Sequence, residues 1–243
     1  MDLKLKGKVA MVTGAGSQIG YGKSIAAVLA AEGCDLIIAD INNKGLDLTA
    51  AEMKAKGYNV LALKADVTNR TEVDKMVRDS LMKFGRIDIL VNNAGASNKM
   101  MPFLSMTRKE WDFDIQVNLY GQMNVAQAVL PSMIERKYGR IINTSGGQGI
   151  SNLSLYGAAK GAIVQWTKAL AQEVIRSGVV VTAYSPGLAA TGLTLEDPRL
   201  SSIAKASPIG RLCTPADIAP VVAFLASEIG TYYAMMLAGT APT

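Results

Sequence analysis

Short apolar runs alternate with stretches of helical apolar spacing through most of this chain, and that alternation constrains the fold more than any other feature. Val9–Thr13 (VAMVT) runs into glycines, and Ser24–Glu32 follows with Ile25, Val28 and Leu29 at helical spacing. The pattern returns as strand Asp35–Asp40, helix Lys44–Lys56, strand Val60–Lys64, helix Glu72–Phe84 and strand Ile87–Val91. Next come a long helical stretch from about Arg108 to Arg136, strand Arg140–Thr144, a helix from about Leu155 to Arg176, strand Val179–Tyr184 and helix Pro215–Ala226. The tail carries a weak last strand around Tyr233–Leu237, and Leu188–Ser207 reads as an irregular flap. Near-continuous apolar strands separated by amphipathic helices form a parallel sheet covered on both faces, because right-handed crossovers put the helices there. The fold class expected is α/β, a single-domain, doubly wound parallel sheet over residues 1–243.

Sheets of this Rossmann-like kind bind ligands beyond the carboxyl ends of their strands, so the segments after Thr13, Asp40, Lys64, Asn92, Thr144 and Tyr184 should converge. The first of these is Thr13-Gly14-Ala15-Gly16-Ser17-Gln18-Ile19-Gly20-Tyr21-Gly22, with a helix directly behind it. Glycines there allow a sharp turn and let a pyrophosphate approach the free amides of the helix N-terminus. Gly14, Gly20 and Gly22 are the candidate dinucleotide contacts. Asp40 ends the second strand 20 residues past Gly20, where a carboxylate accepts from a ribose 2′-hydroxyl or caps the strand end. A carboxylate repels a 2′-phosphate and no arginine follows directly, so the expected cofactor is NAD. Asp66 either accepts from the adenine amine or caps the next turn.

Composition excludes several other chemistries. The 243 residues contain no histidine, which removes histidine-based triads and the commonest zinc sites, and Cys34 and Cys213 supply neither a disulfide framework nor a metal site. A net charge of +5 suits an anionic ligand, but the basic residues are interleaved with acidic ones, so no nucleic-acid partner is expected. With no apolar run of about 18 residues and no signal-like start, a cytoplasmic chain without membrane contact is expected.

The residues resemble the classical short-chain dehydrogenase/reductase family over nearly the whole chain. The resemblance rests on the Thr13–Gly22 loop, Asp66-Val67, Asn92-Asn93-Ala94-Gly95, Asn118 in a helix, Tyr156-Gly157-Ala158-Ala159-Lys160, and Pro186-Gly187 with Thr191. Positions i and i+4 share a helix face, so the Lys160 ammonium can sit near the Tyr156 phenol and favour phenolate. The resemblance implies an oxidoreductase that moves hydride between cofactor and a small secondary alcohol or ketone. Tyr156 would exchange the substrate proton, Lys160 would also hold the nicotinamide ribose, and Asn118 would support a water relay. Asn92 and Gly95 would line the cofactor channel, Thr191 would hold the nicotinamide carboxamide, and Val67 and Pro186 would also contact the cofactor. A homo-oligomer, tetramer or dimer, is implied as well. Alternatives are a 3-oxoacyl-thioester reductase and a catalytically idle dinucleotide-binding protein.

Three departures stand out. The glycine loop is two residues longer than the family spacing if Gly20 and Gly22 are its last glycines, whereas with Gly16 and Gly20 as the family glycines Gln18 occupies a glycine position. The serine that the family places 13 residues before the tyrosine is Asn143 here, and counting forward from Gly139 lands on Gly146. Ser145 is the nearest hydroxyl, either the donor to the substrate oxygen or a turn residue. The tail also lacks the family's closing acidic or asparagine residue before paired glycines.

Overall fold

The computed structural model describes residues 2–97, 100–147, 149–187 and 200–240. Its strands are β1 Val9–Thr13, β2 Asp35–Asp40, β3 Val60–Lys64, β4 Ile89–Asn92, β5 Gly139–Thr144 and β6 Val179–Tyr184. They form one parallel sheet in the order β3-β2-β1-β4-β5-β6. Successive side chains of β1 and β2 enter opposite cores. Ala10, Val12, Leu36 and Ile38 pack in the layer that holds Ile25, Leu29, Met53 and Val222. Val9, Met11, Ile37 and Ala39 pack in the layer of Met76, Val77, Val125 and Leu170. Burial on both faces is the reason these strands read as unbroken apolar runs.

The helices are α1 Tyr21–Ala31, α2 Asn43–Ala55, α3 Arg70–Phe84, α4 Arg108–Ile115, α5 Gly121–Glu135, α6 Ser154–Val174, α7 Leu200–Ala206, α8 Pro215–Ala226 and α9 Thr231–Ala238. Their ends follow local chemistry. Asn69 opens α3 by accepting from the Thr71 and Glu72 amides, and Gly85, left-handed at φ 73°, closes it. Thr214 and Asp217 cap α8 reciprocally, with Pro215 in its first turn.

Three elements differ from the sequence expectation. The long stretch from Arg108 to Arg136 is broken by a π-helical turn, Gln116–Tyr120. The expected last strand is the helix α9, because Ala234 and Ala238, one turn apart, are both buried against neighbouring layers and Gly239 ends the helix at φ 73°. This helix packs against β6, and the sheet stops at that strand. In the stretch taken as a flap, α7 is helical, while residues 188–199 lie outside the described residues. No single helix among the described residues is long and apolar enough to cross a membrane.

Strand order reverses direction between β1 and β4, whose carboxyl ends lie side by side through the Val12–Val91 pairing. A crevice opens beyond that point.

Candidate active site

The crevice is built largely from backbone and glycine. Asn93 clamps its floor: its side-chain amide donates to the carbonyls of Thr13 (2.9 Å) and Gly14 (3.2 Å), while its own N–H donates to Thr13 Oγ1 (3.1 Å). A Cβ on Gly22 would sit 2.3 Å from the Gly14 carbonyl oxygen, so only glycine lets α1 start this close to β1. Gly14, Gly16, Gly20, Asp40, Lys44 and Gly95 are among the residues that line a cavity of about 590 Å³ here. A glycine cradle opening on the start of an 11-residue helix fits a dinucleotide pyrophosphate.

The glycine loop rests on α2. A Cβ on Gly45 would lie 2.1 Å from the Gly16 carbonyl oxygen, so the loop rests directly on the helix backbone. Gln18 pins it there, its amide donating to the Gly45 carbonyl (2.9 Å) and Thr49 Oγ1 (3.1 Å), and Lys23 donates to Gln18 Oε1 (2.9 Å). Asp40 faces the same loop: Oδ2 accepts from the Gly16 amide at 2.7 Å and Oδ1 from the Asn42 amide at 2.8 Å.

On the other side of Gly95 the acid–base groups gather. Tyr156 lies in the first turn of α6 and Lys160 one turn later, with Lys160 Nζ 5.8 Å from the Tyr156 ring centroid. Gly147, at φ 73°, lies under the Tyr156 ring, where a Cβ would come within 2.5 Å of Cε1. Lys160, 2% exposed, donates to the Thr144 carbonyl at 3.0 Å. Gln122 from α5 donates to that same oxygen at 2.9 Å. Asn118 sits on the π-helical turn, a distortion that recurs at functional sites. Its amide donates to the Ala96 (2.5 Å) and Asp114 (2.9 Å) carbonyls. A Cβ on Gly95 would be 2.9 Å from Asn118 Oδ1 and 3.3 Å from Lys160 Nζ. Gly95 therefore brings asparagine, lysine and cofactor cavity together.

Burial governs the titration of both groups. It pulls the Lys160 ammonium down to about 8, because a charge loses its hydration there. It pushes the Tyr156 phenol above its ordinary value of 10.0, with a smaller contribution from the Asp114 charge. The Lys160 ammonium is turned to the Thr144 carbonyl, and the net effect of the surroundings on the phenol is upward. Tyr156 is accordingly protonated at neutral pH, the state needed to give a proton to a carbonyl oxygen.

The remaining expected residues are spread more widely. Asn92 is turned into the interior, donating to Asn143 Oδ1 (2.9 Å) and the Gln122 carbonyl (3.2 Å), and Asn143 donates to Thr167 Oγ1 (2.9 Å). Ser145 is 5% exposed, and both its N–H (2.9 Å) and its hydroxyl (3.2 Å) donate to the Tyr184 carbonyl. Asp66 Oδ1 accepts from the amide and the hydroxyl of Thr68, capping the following turn. Val67 is buried under Gly121, and its carbonyl accepts from Asn124 (3.0 Å). Pro186 follows β6 beside Gly146, while Thr191 lies outside the described residues. The sequence assigned no role to Asn93, Gln18 or Gln122. Asn93 had a signal, its place right after a strand end, but the two glutamines had none.

Comparison with known proteins bears on this geometry. Residues 14–235 match the family model described as enoyl-(acyl carrier protein) reductase. Oxidoreductase UcpA of Salmonella typhimurium is 40% identical, with 94% of this chain and 91% of that protein covered. The crystal structure of levodione reductase superposes with a TM-score of 0.88 at 34% identity, covering 93% of each chain. A single-residue variant of actinorhodin polyketide ketoreductase superposes with a TM-score of 0.86 at 30% identity, covering 93% of this chain and 92% of that one, and its structure was solved with NADPH. That finding overturns the expectation of NAD. Locally, the Asp40 carboxylate is held by two backbone amides, and a cation, Lys44, stands on the same cavity wall, four residues on instead of directly adjacent. By sequence, fold and crevice alike, the chain belongs to the short-chain dehydrogenase/reductase family and is an NAD(P)-dependent oxidoreductase.

Proposed function

We propose that this protein reduces a small, largely apolar ketone to a secondary alcohol with NADPH. The observation that carries the reading is the half-buried, protonated Tyr156 beside Lys160 and Asn118 at the mouth of the glycine-lined cavity. Bound NADPH would supply the hydride for the carbonyl carbon. The protein's own part is the proton, which Tyr156 gives to the carbonyl oxygen. Lys160 then stands 5.8 Å from the ring centroid, near enough for its charge to favour the phenolate left behind. Asn118 holds the Ala96 segment beside Gly95 and so fixes the wall between lysine and cofactor.

Gly14, Gly20 and Gly22 would hold the pyrophosphate, Asp40 and Lys44 the adenosine end, and Gly95, Lys160 and Pro186 the nicotinamide end. Met101, whose N–H donates to the Asn152 carbonyl next to the start of α6, supports an apolar substrate. So do the half-exposed Met100 and Phe103, the latter stacked on Trp111. The likeness to levodione reductase favours a free ketone. A second reading, reduction of an acyl thioester, is favoured by the acyl-carrier-protein description of the matching family model.

The test is a loss-of-absorbance screen at the NADPH band over small cyclic and linear ketones and 3-oxoacyl thioesters. Turnover of free ketones with NADPH is expected. Turnover of thioesters alone would favour the second reading, and none with either class would refute the enzymatic proposal.

A further inference from the structure

The departure at the family's serine position has a structural counterpart. Counting forward along β5, the position is Gly146, and its backbone is at φ 113°, a conformation in which any L side chain is strained. Ser145, the neighbouring hydroxyl, is spent: the strand ladder continues through its N–H to the Tyr184 carbonyl, and its side chain turns back to that same oxygen. Gly146 lies just past the end of β5, next to the start of the β6 loop. What stands beside it is the hydroxyl of Ser185, 3.1 Å from where a Gly146 Cβ would begin, with Pro186 Cδ at 3.6 Å.

Ser185 is exposed, directly follows β6, and immediately precedes Pro186-Gly187 at the sheet edge where the crevice opens. Gly147, the next residue of the same loop, carries the Tyr156 ring on its bare Cα. The Ser185 hydroxyl and the Tyr156 ring thus flank a single Gly146-Gly147 dipeptide from either end.

We infer that Ser185 is the hydroxyl that hydrogen-bonds the substrate oxygen in this protein, delivered from the β6 loop across the gap left by Gly146. The inference rests on the ketone-reductase reading and adds a residue to that same site. Its chemistry is a hydrogen bond to the carbonyl oxygen as negative charge builds there, so it binds the transition state more strongly than the ground state. No covalent step is involved.

The experiment compares the unsubstituted protein with Ser185→Ala, Ser185→Thr and Ser145→Ala on the best ketone of the screen. Ser185→Ala should lower kcat by about 10²-fold, the usual consequence of losing one such donor. NADPH affinity, read by fluorescence titration, should stay within about twofold. Affinity of the NADP complex for the alcohol product, read by calorimetry, should fall about tenfold, a loss of roughly 1.4 kcal/mol. Ser185→Thr, which keeps the hydroxyl, should recover most of the turnover. An active unsubstituted protein whose Ser185→Ala variant keeps its kcat and product affinity would overturn the assignment while leaving the reductase reading intact. A larger loss in Ser145→Ala would do the same. An unsubstituted protein inactive on every ketone would refute the reductase reading and this assignment with it.

Discussion

Replacing Lys160 by methionine should change stability in a way that depends on pH, and the size of the change follows from burial. Lys160 is fully enclosed by α6, β5 and the Gly95 segment, and enclosure lowers its pKa from 10.5 to about 8. Below pH 8 the native state has to hold a desolvated ammonium. Between 8 and 10.5 the unfolded chain binds more protons at this site than the folded one, so the site's contribution to stability rises with pH across that window. The unfavourable contribution is about 3 kcal/mol at pH 7 and falls by about 2.5 kcal/mol by pH 10. Lys160→Met removes the charge at nearly constant volume, although it also removes the hydrogen bond to the Thr144 carbonyl, a constant offset of about 1–2 kcal/mol. Tyr156 and Tyr184 complicate the wild-type curve, because burial raises both and their contributions fall at high pH. The difference between variant and wild type cancels them. Urea unfolding of both proteins without cofactor at pH 7, 8.5 and 10 gives that difference. With an m value of about 2 kcal/mol/M, any midpoint advantage of the variant should shrink by about 1 M urea from pH 7 to pH 10. A difference independent of pH would show that Lys160 is not held as a buried ammonium, and the argument for a strained, functional lysine would fall.

Tyr156→Phe loses only the hydroxyl, so turnover should drop about 10³-fold while NADPH affinity by fluorescence titration stays within about twofold. Wild-type turnover in that variant would mean another proton donor. Gly22→Ala drives a methyl to 2.3 Å from the Gly14 carbonyl oxygen; melting should show a loss of about 2 kcal/mol, and NADPH binding should weaken at least tenfold. Lys44→Ala should raise KM for NADPH about fivefold, worth about 1 kcal/mol for an exposed cation facing a phosphate, and leave KM for NADH unchanged. Equal effects on both cofactors would place the 2′-phosphate elsewhere.

The sheet was legible because every strand but the edge strand β3 is largely buried, which leaves apolar runs that no surface strand would show. The crevice was legible for a related reason: the order of β3-β2-β1-β4 puts Thr13 and Asn92 side by side, and both carry the glycines and asparagines that a close ligand approach demands. What the sequence concealed depends on geometry that residue identity does not encode. The π-helical turn at Gln116–Tyr120 sits where Asn118 bonds the Ala96 backbone, a partner 22 residues away. The run Ala234-Met235-Met236-Leu237-Ala238 is apolar throughout, and periodicity alone cannot separate strand from helix there. Asp40 kept its expected position, but the amides of Gly16 and Asn42 that it faces are invisible in a list of side chains.

Much of this site is made of main chain, and that has a consequence for where the proton chemistry can be altered. The Thr144 carbonyl receives both Lys160 and Gln122, and the Tyr184 carbonyl receives Ser145 twice; each oxygen belongs to a strand of the same β5–β6 pair. Lysine, glutamine and serine are therefore all registered against one pair of strands, and Tyr156 is registered against the loop that leaves the first of them. A shift of β5 against β6 by one residue would separate Ser145 from the Tyr184 carbonyl and move the acceptor of Lys160 and Gln122 relative to β6. The buried Asn92–Asn143–Thr167 series ties β4 to β5 and β5 to α6 just beneath the site, so it opposes such a shift. Asn143, 13 residues before Tyr156, acts from below, holding α6 to the sheet so that Tyr156 and Lys160 stay over the crevice.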